Sequence, residues 1–108
     1  MSIIGTEIGV ESVDLCLARL IPVVDEMNGI LLITADHGNA DEMLEKTKDG
    51  SKKAKTSHTL NPVPFIIYDS KCSYKIKAGE FGLANVAATL CKTMNLEAPK
   101  GWEESIIE

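Results

Sequence analysis

Residues 29–34 read Gly-Ile-Leu-Leu-Ile-Thr, and the chain continues Ala-Asp-His-Gly-Asn-Ala. The apolar run does not alternate. A strand with one wet face alternates apolar and polar residues, so an unbroken run suits a strand covered on both faces. That is the situation of a parallel sheet with helices on either side. This stretch therefore predicts a layered α/β architecture. It also ends in an acid, a histidine and a glycine side by side, which serves equally as a plain turn or as part of a metal site.

The flanking segments agree with the layered reading. Val13, Leu17, Leu20, Ile21 and Val24 fall on one helical face. Pro22 interrupts that pattern, because it cannot donate to the carbonyl of Ala18; a kink or a fresh turn is expected there. Asn28-Gly29 is a stop signal. Residues 39–46, Asn-Ala-Asp-Glu-Met-Leu-Glu-Lys, predict a short helix opened by Asn39, with Asp41 and Glu42 near its positive end. A polar, lysine-rich stretch follows, with Asp49-Gly50 as a turn. Lys46, Lys48, Lys52, Lys53 and Lys55 could attract a phosphorylated acid, but a solvated hairpin is the better reading. Residues 63–69, Val-Pro-Phe-Ile-Ile-Tyr-Asp, form a second buried-strand candidate, with Pro62 and Pro64 at its entrance. Residues 73–79 suggest a short edge strand. Leu83, Val86, Ala87, Leu90 and Met94 mark one face of a closing helix.

The totals set limits. At 108 residues the chain is one small domain at most. A net charge of −5 leaves no basic excess to neutralise phosphates, which argues against nucleic acid as a partner. No apolar run reaches the length of a membrane span, and the first residues lack a secretory pattern. Cys16, Cys72 and Cys91 are odd in number and form no C-x-x-C pair, which fits reduced thiols in a cytoplasmic protein. Cys16 and Cys91 read as small core residues. Two or three strands are few for a sheet buried on both faces. Either the chain self-associates through a sheet edge, or it is a piece of something larger.

Asp36 and His37 stand where the first strand should end, the edge at which open α/β sheets bind ligands. Gly38 frees the backbone to turn both side chains toward one centre. A carboxylate and an imidazole suit Mn²⁺, Zn²⁺ or Fe, and the carboxylate alone Mg²⁺. The other histidine, His58, lies before the second strand candidate. In a parallel sheet that is the wrong edge. A shared site requires residues 57–64 to cross the carboxyl edge of the first strand before the chain turns back. From pattern alone, turn and metal site remain evenly matched.

The two motifs together, Leu-Leu-Ile-Thr-Ala-Asp-His-Gly-Asn-Ala-Asp-Glu-Met and Lys-Thr-Ser-His-Thr-Leu-Asn-Pro-Val-Pro-Phe-Ile-Ile-Tyr-Asp, closely resemble the carboxyl-terminal part of the cofactor-independent phosphoglycerate mutases of the alkaline phosphatase superfamily. The likeness extends over nearly the whole chain, including residues 11–24 and 82–99. Phosphopentomutases share Asp-His-Gly and a later His-Thr, but not Asn-Pro-Val-Pro-Phe in this form. The resemblance implies an alkaline-phosphatase-like α/β fold, present here as a single partial domain over residues 1–108 with a small, mostly parallel sheet. It implies that Asp36 and His37 hold one of two divalent ions and that His58 holds the other. The ions would be Mn²⁺, with Mg²⁺ or Co²⁺ as substitutes. It implies interconversion of 3-phosphoglycerate and 2-phosphoglycerate in glycolysis through a phosphoserine.

The same resemblance exposes what is missing. The family's nucleophilic serine, an amino-terminal aspartate, and an Asp and a His upstream of this region have no counterparts here. No serine of this chain stands in the nucleophile's context, and Arg19 is the only arginine. Asp41 occupies a position where the family usually has Glu. The expectation is a partial metal site without mutase activity on its own. Exposed apolar faces, self-association and partial disorder around residues 45–57 are expected to follow. The competing reading is a stand-alone protein that binds a metal or a partner without catalysis.

Overall fold

The computed structural model describes residues 3–38, 40, 44–46, 48, 50, 52–54 and 61–108. His58, Asp41 and most of the lysine-rich stretch lie outside the described residues, as do residues 47, 49, 51 and 55–57 of the segment for which disorder is expected. Helix α1 spans Ile3–Glu26 and runs through Pro22 as one continuous element. Its end is set by Asn28, which takes φ 54°. Gly29 N–H bonds the Val24 carbonyl at 2.8 Å and Asn28 N–H the Asp25 carbonyl at 3.1 Å, the paired bonds of a left-handed helix stop. Strand β1 (Leu31–Thr34) follows, then β2 (Leu44–Lys46), β3 (Lys52–Ala54) and β4 (Phe65–Tyr68). A 3₁₀ turn, Leu83–Asn85, leads directly into α2 (Val86–Thr93).

Helix and strand layers are present as expected, but the sheet is antiparallel among the described residues. β1 pairs with β4 in the register Leu31↔Tyr68 to Thr34↔Phe65, and β2 pairs with β3 as Leu44↔Ala54 to Lys46↔Lys52. The reason lies between the strands. A parallel pair needs a crossover that carries the chain back to the starting edge, usually through a helix. Here the chain leaves β1, makes the β2–β3 hairpin and comes back to the edge it left, so β4 must run antiparallel. Leu44–Lys46, expected at the end of a short helix, is a strand of that hairpin, and Lys48 and Gly50 in its turn are exposed.

The tightest packing lies elsewhere, between α2 and the last residues. Ala88, Ile106 and Ile107 are buried, together with the polar Asn85 and Thr89. The Thr89 hydroxyl donates to the Asn85 carbonyl at 2.7 Å and accepts the Ile106 N–H at 2.8 Å. The Asn85 side chain donates to the Glu104 carbonyl at 2.9 Å and accepts the Gly82 N–H at 2.8 Å. The tail then bridges Ile76 through Ile107, so the expected edge strand is reduced to one isolated pair. The buried face of α2 is thus Asn85, Ala88 and Thr89, whereas Leu83, Leu90 and Met94 of the expected face are exposed. Two polar residues take the inner face because each finds backbone partners there.

Elsewhere the structure is open. Its radius of gyration is 17.5 Å, against about 13 Å for a compact domain of this length. No residue of α1 is buried; Leu17, Ile21 and Val24 are half-covered, while Ile4, Ile8, Val13 and Leu15 face outward. Cys16, expected in a core, is exposed, and Cys91 is half-buried. A polar contact fastens the end of α1 to the sheet: the Tyr68 hydroxyl lies 2.9 Å from both Asp25 carboxylate oxygens. The hydrogen bond to Asp25 raises the Tyr68 pKa above its ordinary value. No helix among the described residues is long and apolar enough to cross a membrane.

Candidate metal centre

Antiparallel pairing brings the two sequence motifs to one edge. Because Thr34 registers with Phe65, the carboxyl end of β1 adjoins the entry of β4. The segment expected to cross that edge therefore ends there, at residues 61–64. A pocket of about 410 Å³ opens between the end of β1 (Thr34, Asp36, His37), the β4 entry (residues 61–63 and Phe65), the approach to α2 (residues 81–83 and Val86) and Ile106. Its walls are mostly apolar, with the carboxylate and the imidazole among the few polar groups.

Asp36 and His37 are brought together, with Nε2 of His37 3.5 Å from Oδ1 of Asp36. The Asp36 side chain is 86% exposed, so its carboxylate is open to a group arriving from outside. Nδ1 of His37 lies 3.0 Å from the carbonyl oxygen of Gly38, itself a buried residue. A carbonyl can only accept, so Nδ1 is the donor in that bond, and the tautomer with Nδ1 protonated makes Nε2 the nitrogen able to ligate a metal. This arrangement, with one ring nitrogen held by a backbone carbonyl, is the usual way a metal-ligating histidine is oriented.

The donor set fits a divalent ion. Two donors 3.5 Å apart subtend roughly 110° at an ion held about 2.1 Å from each. Two protein ligands are too few to close a coordination shell, and among the described residues no group of three or more His, Cys, Asp or Glu side chains converges. The third expected ligand, His58, lies outside the described residues. Thr34, the carbonyl of Gly38 and the apolar wall from Phe81, Val86 and Ile106 carried no recognisable signal in the sequence. Only the Pro-Val-Pro run beside Phe65 hinted at a special strand entry.

A family model for the metalloenzyme superfamily matches residues 3–98. The chain belongs to the metalloenzyme superfamily. Among its relatives in that superfamily, a probable 2,3-bisphosphoglycerate-independent phosphoglycerate mutase of Leptospira interrogans is 44% identical over 97% of this chain. The 2,3-bisphosphoglycerate-independent phosphoglycerate mutase of Trypanosoma brucei brucei is 42% identical over 96%. The castor bean enzyme of the same name, from Ricinus communis, is 35% identical over 96%. A crystal structure of Leishmania mexicana phosphoglycerate mutase at low cobalt concentration superposes with a TM-score of 0.81 at 39% identity, covering 93% of this chain. The chain spans about a fifth of these proteins: 21% of the three sequence relatives and 20% of the solved structure. The match to the Leishmania structure places the antiparallel β1–β4 pair and its helices within a phosphoglycerate mutase fold.

Proposed function

We propose that this superfamily member is the metal-binding part of a cofactor-independent phosphoglycerate mutase, an isomerase of glycolysis that interconverts 3-phosphoglycerate and 2-phosphoglycerate in the cytoplasm. The observation that carries the reading is the Asp36–His37 pair, its Nδ1 fixed by Gly38 and its Nε2 3.5 Å from the carboxylate. Asp36 and His37 would hold one divalent ion, and His58 would belong to the second; Mn²⁺ suits the mixed oxygen and nitrogen donors. Such ions, when bound, supply charge to the phosphoryl oxygens and make a serine hydroxyl nucleophilic at neutral pH.

The chain's own residues contribute orientation and environment. The Gly38 carbonyl keeps the His37 ring in one tautomer, so Nε2 stays directed at the site. The Asp36 carboxylate supplies an oxygen donor at the pocket mouth. Phe65, Phe81, Val86 and Ile106 give the pocket beside the pair an apolar wall. Free thiols at Cys16, Cys72 and Cys91 suit a reducing compartment. The nucleophilic serine and further ligands would come from protein outside these residues, so the chain alone should not turn over substrate.

Exchange into a relative tests this. The chain would replace the matching stretch of the Leptospira interrogans protein, and conversion of 3-phosphoglycerate to 2-phosphoglycerate would be measured. The reading predicts an active, metal-dependent chimera whose activity falls at least a hundredfold with His37→Ala. A folded chimera that is inactive, or that is indifferent to His37→Ala, would contradict it.

A further inference from the structure

The β1–β4 ladder stops at a chemical boundary. Thr34 faces Phe65 in its last registered pair, and the residues before Phe65 are Pro62, Val63 and Pro64. Neither proline carries an N–H, so the strand entry can accept hydrogen bonds there but has few donors to offer. Thr34 supplies a donor from its side chain: the hydroxyl bonds the Pro64 carbonyl at 2.9 Å. One residue separates Thr34 from Asp36, and Thr34, Asp36, His37 and residues 61–63 line the same pocket. The bond therefore ties the wall that carries the candidate ligands to the opposite wall, at the point where backbone pairing has run out.

We propose that Thr34 is a positioning residue: its hydroxyl, bonded to the Pro64 carbonyl, holds the entry of β4 across the carboxyl end of β1 and sets the width of the metal pocket. The inference deepens the metal-site reading and rests on it for its binding arm alone. Thr34 is exposed, and a hydrogen bond near water contributes little to global stability. Its consequence is local. Threonine suits the place because its β-branch fits a strand and limits the hydroxyl to few rotamers.

The test compares Thr34→Val, which keeps the branch and loses the donor, with Thr34→Ser, which keeps the donor. In the metal-free chain, ¹⁵N relaxation would be read at Asn61 and Val63, the residues of the entry that carry an N–H. The proposal predicts order parameters falling from about 0.85 toward 0.6 in Thr34→Val, with Leu32 and Ile67 in the ladder unchanged. Thr34→Ser should match the wild type. Titration with Mn²⁺ should show affinity reduced roughly three- to tenfold by Thr34→Val and restored by Thr34→Ser. Unchanged order parameters at Asn61 and Val63 in Thr34→Val would overturn the proposal, as would Thr34→Ser behaving like Thr34→Val. Wild-type chain that binds no Mn²⁺ would overturn the metal reading instead, while the metal-free arm still decides the role of Thr34.

Discussion

Thr89→Val removes one oxygen from the best-packed part of the molecule and keeps the side chain's shape. Thr89 is fully buried, at 0% exposure, and its hydroxyl serves the Asn85 carbonyl and the Ile106 N–H together. Valine would leave the Ile106 N–H buried without a partner. A stranded buried donor costs about 1–3 kcal/mol. Small domains have about 5–15 kcal/mol in total, and this open structure should sit near the lower end. A loss of about 2 kcal/mol lowers the melting temperature by roughly 8–16 °C for a domain of this size. The single tryptophan, Trp102, lies beside the tail that Thr89 holds and should report its release by fluorescence during urea unfolding. The expected result is a lower midpoint at an unchanged slope, with Thr89→Ser closer to wild type because it keeps the hydroxyl. A Thr89→Val midpoint equal to wild type would refute the claim that this polar clasp holds the tail.

Other outcomes follow from named contacts. Asn28→Val should destabilise the end of α1 by about 1–2 kcal/mol, because a branched side chain is forced to positive φ, whereas Asn28→Gly should not; thermal melts followed by circular dichroism check this. Tyr74 donates to Asp69 at 2.8 Å, and that bond pushes its pKa up to about 12. A raised folded-state pKa means this contribution is complete below the ordinary tyrosine pKa and is lost as pH rises toward 12. Phenolate absorbance should show late ionisation of Tyr74, returned toward its ordinary range by Asp69→Asn. The Asp69 carboxyl is lowered by the Lys71 N–H and the Tyr74 hydroxyl, so its contribution is present above the ordinary carboxylate pKa and is lost as pH falls through the depressed value. The outward edges of the two-stranded β1–β4 sheet and the apolar surface of α1 should drive concentration-dependent self-association, and a monomeric sedimentation profile at all concentrations would refute that.

The legible parts of this fold were those with strong local signals. The apolar run at residues 29–34 marked a strand, Asn28-Gly29 marked a helix stop, and Asp36-His37 marked the point where that strand ends. Strand direction was not legible, because it depends on whether the connection is a helix or a hairpin, and residues 39–54 carry mixed signals. The buried face of α2 was hidden for a different reason. Asn85 and Thr89 look like surface residues until the tail brings its carbonyl and N–H groups to them. Exposed apolar faces were expected of a partial domain, and Ile4, Ile8, Val13 and Leu15 of α1 face outward; the relatives are about five times longer than this chain. The pocket wall was illegible because Phe81, Val86 and Ile106 lie far from Asp36 in the sequence and line the same pocket only in the folded chain.

Asp36 and His37 are proposed to form part of a divalent metal site. Calorimetric titration of the chain with Mn²⁺, repeated with Asp36→Asn and His37→Ala, tests it most directly. With two or three protein donors in place of the four of a closed site, binding should be weaker than about 1 μM and be abolished by either substitution. Submicromolar binding that survives His37→Ala would contradict it.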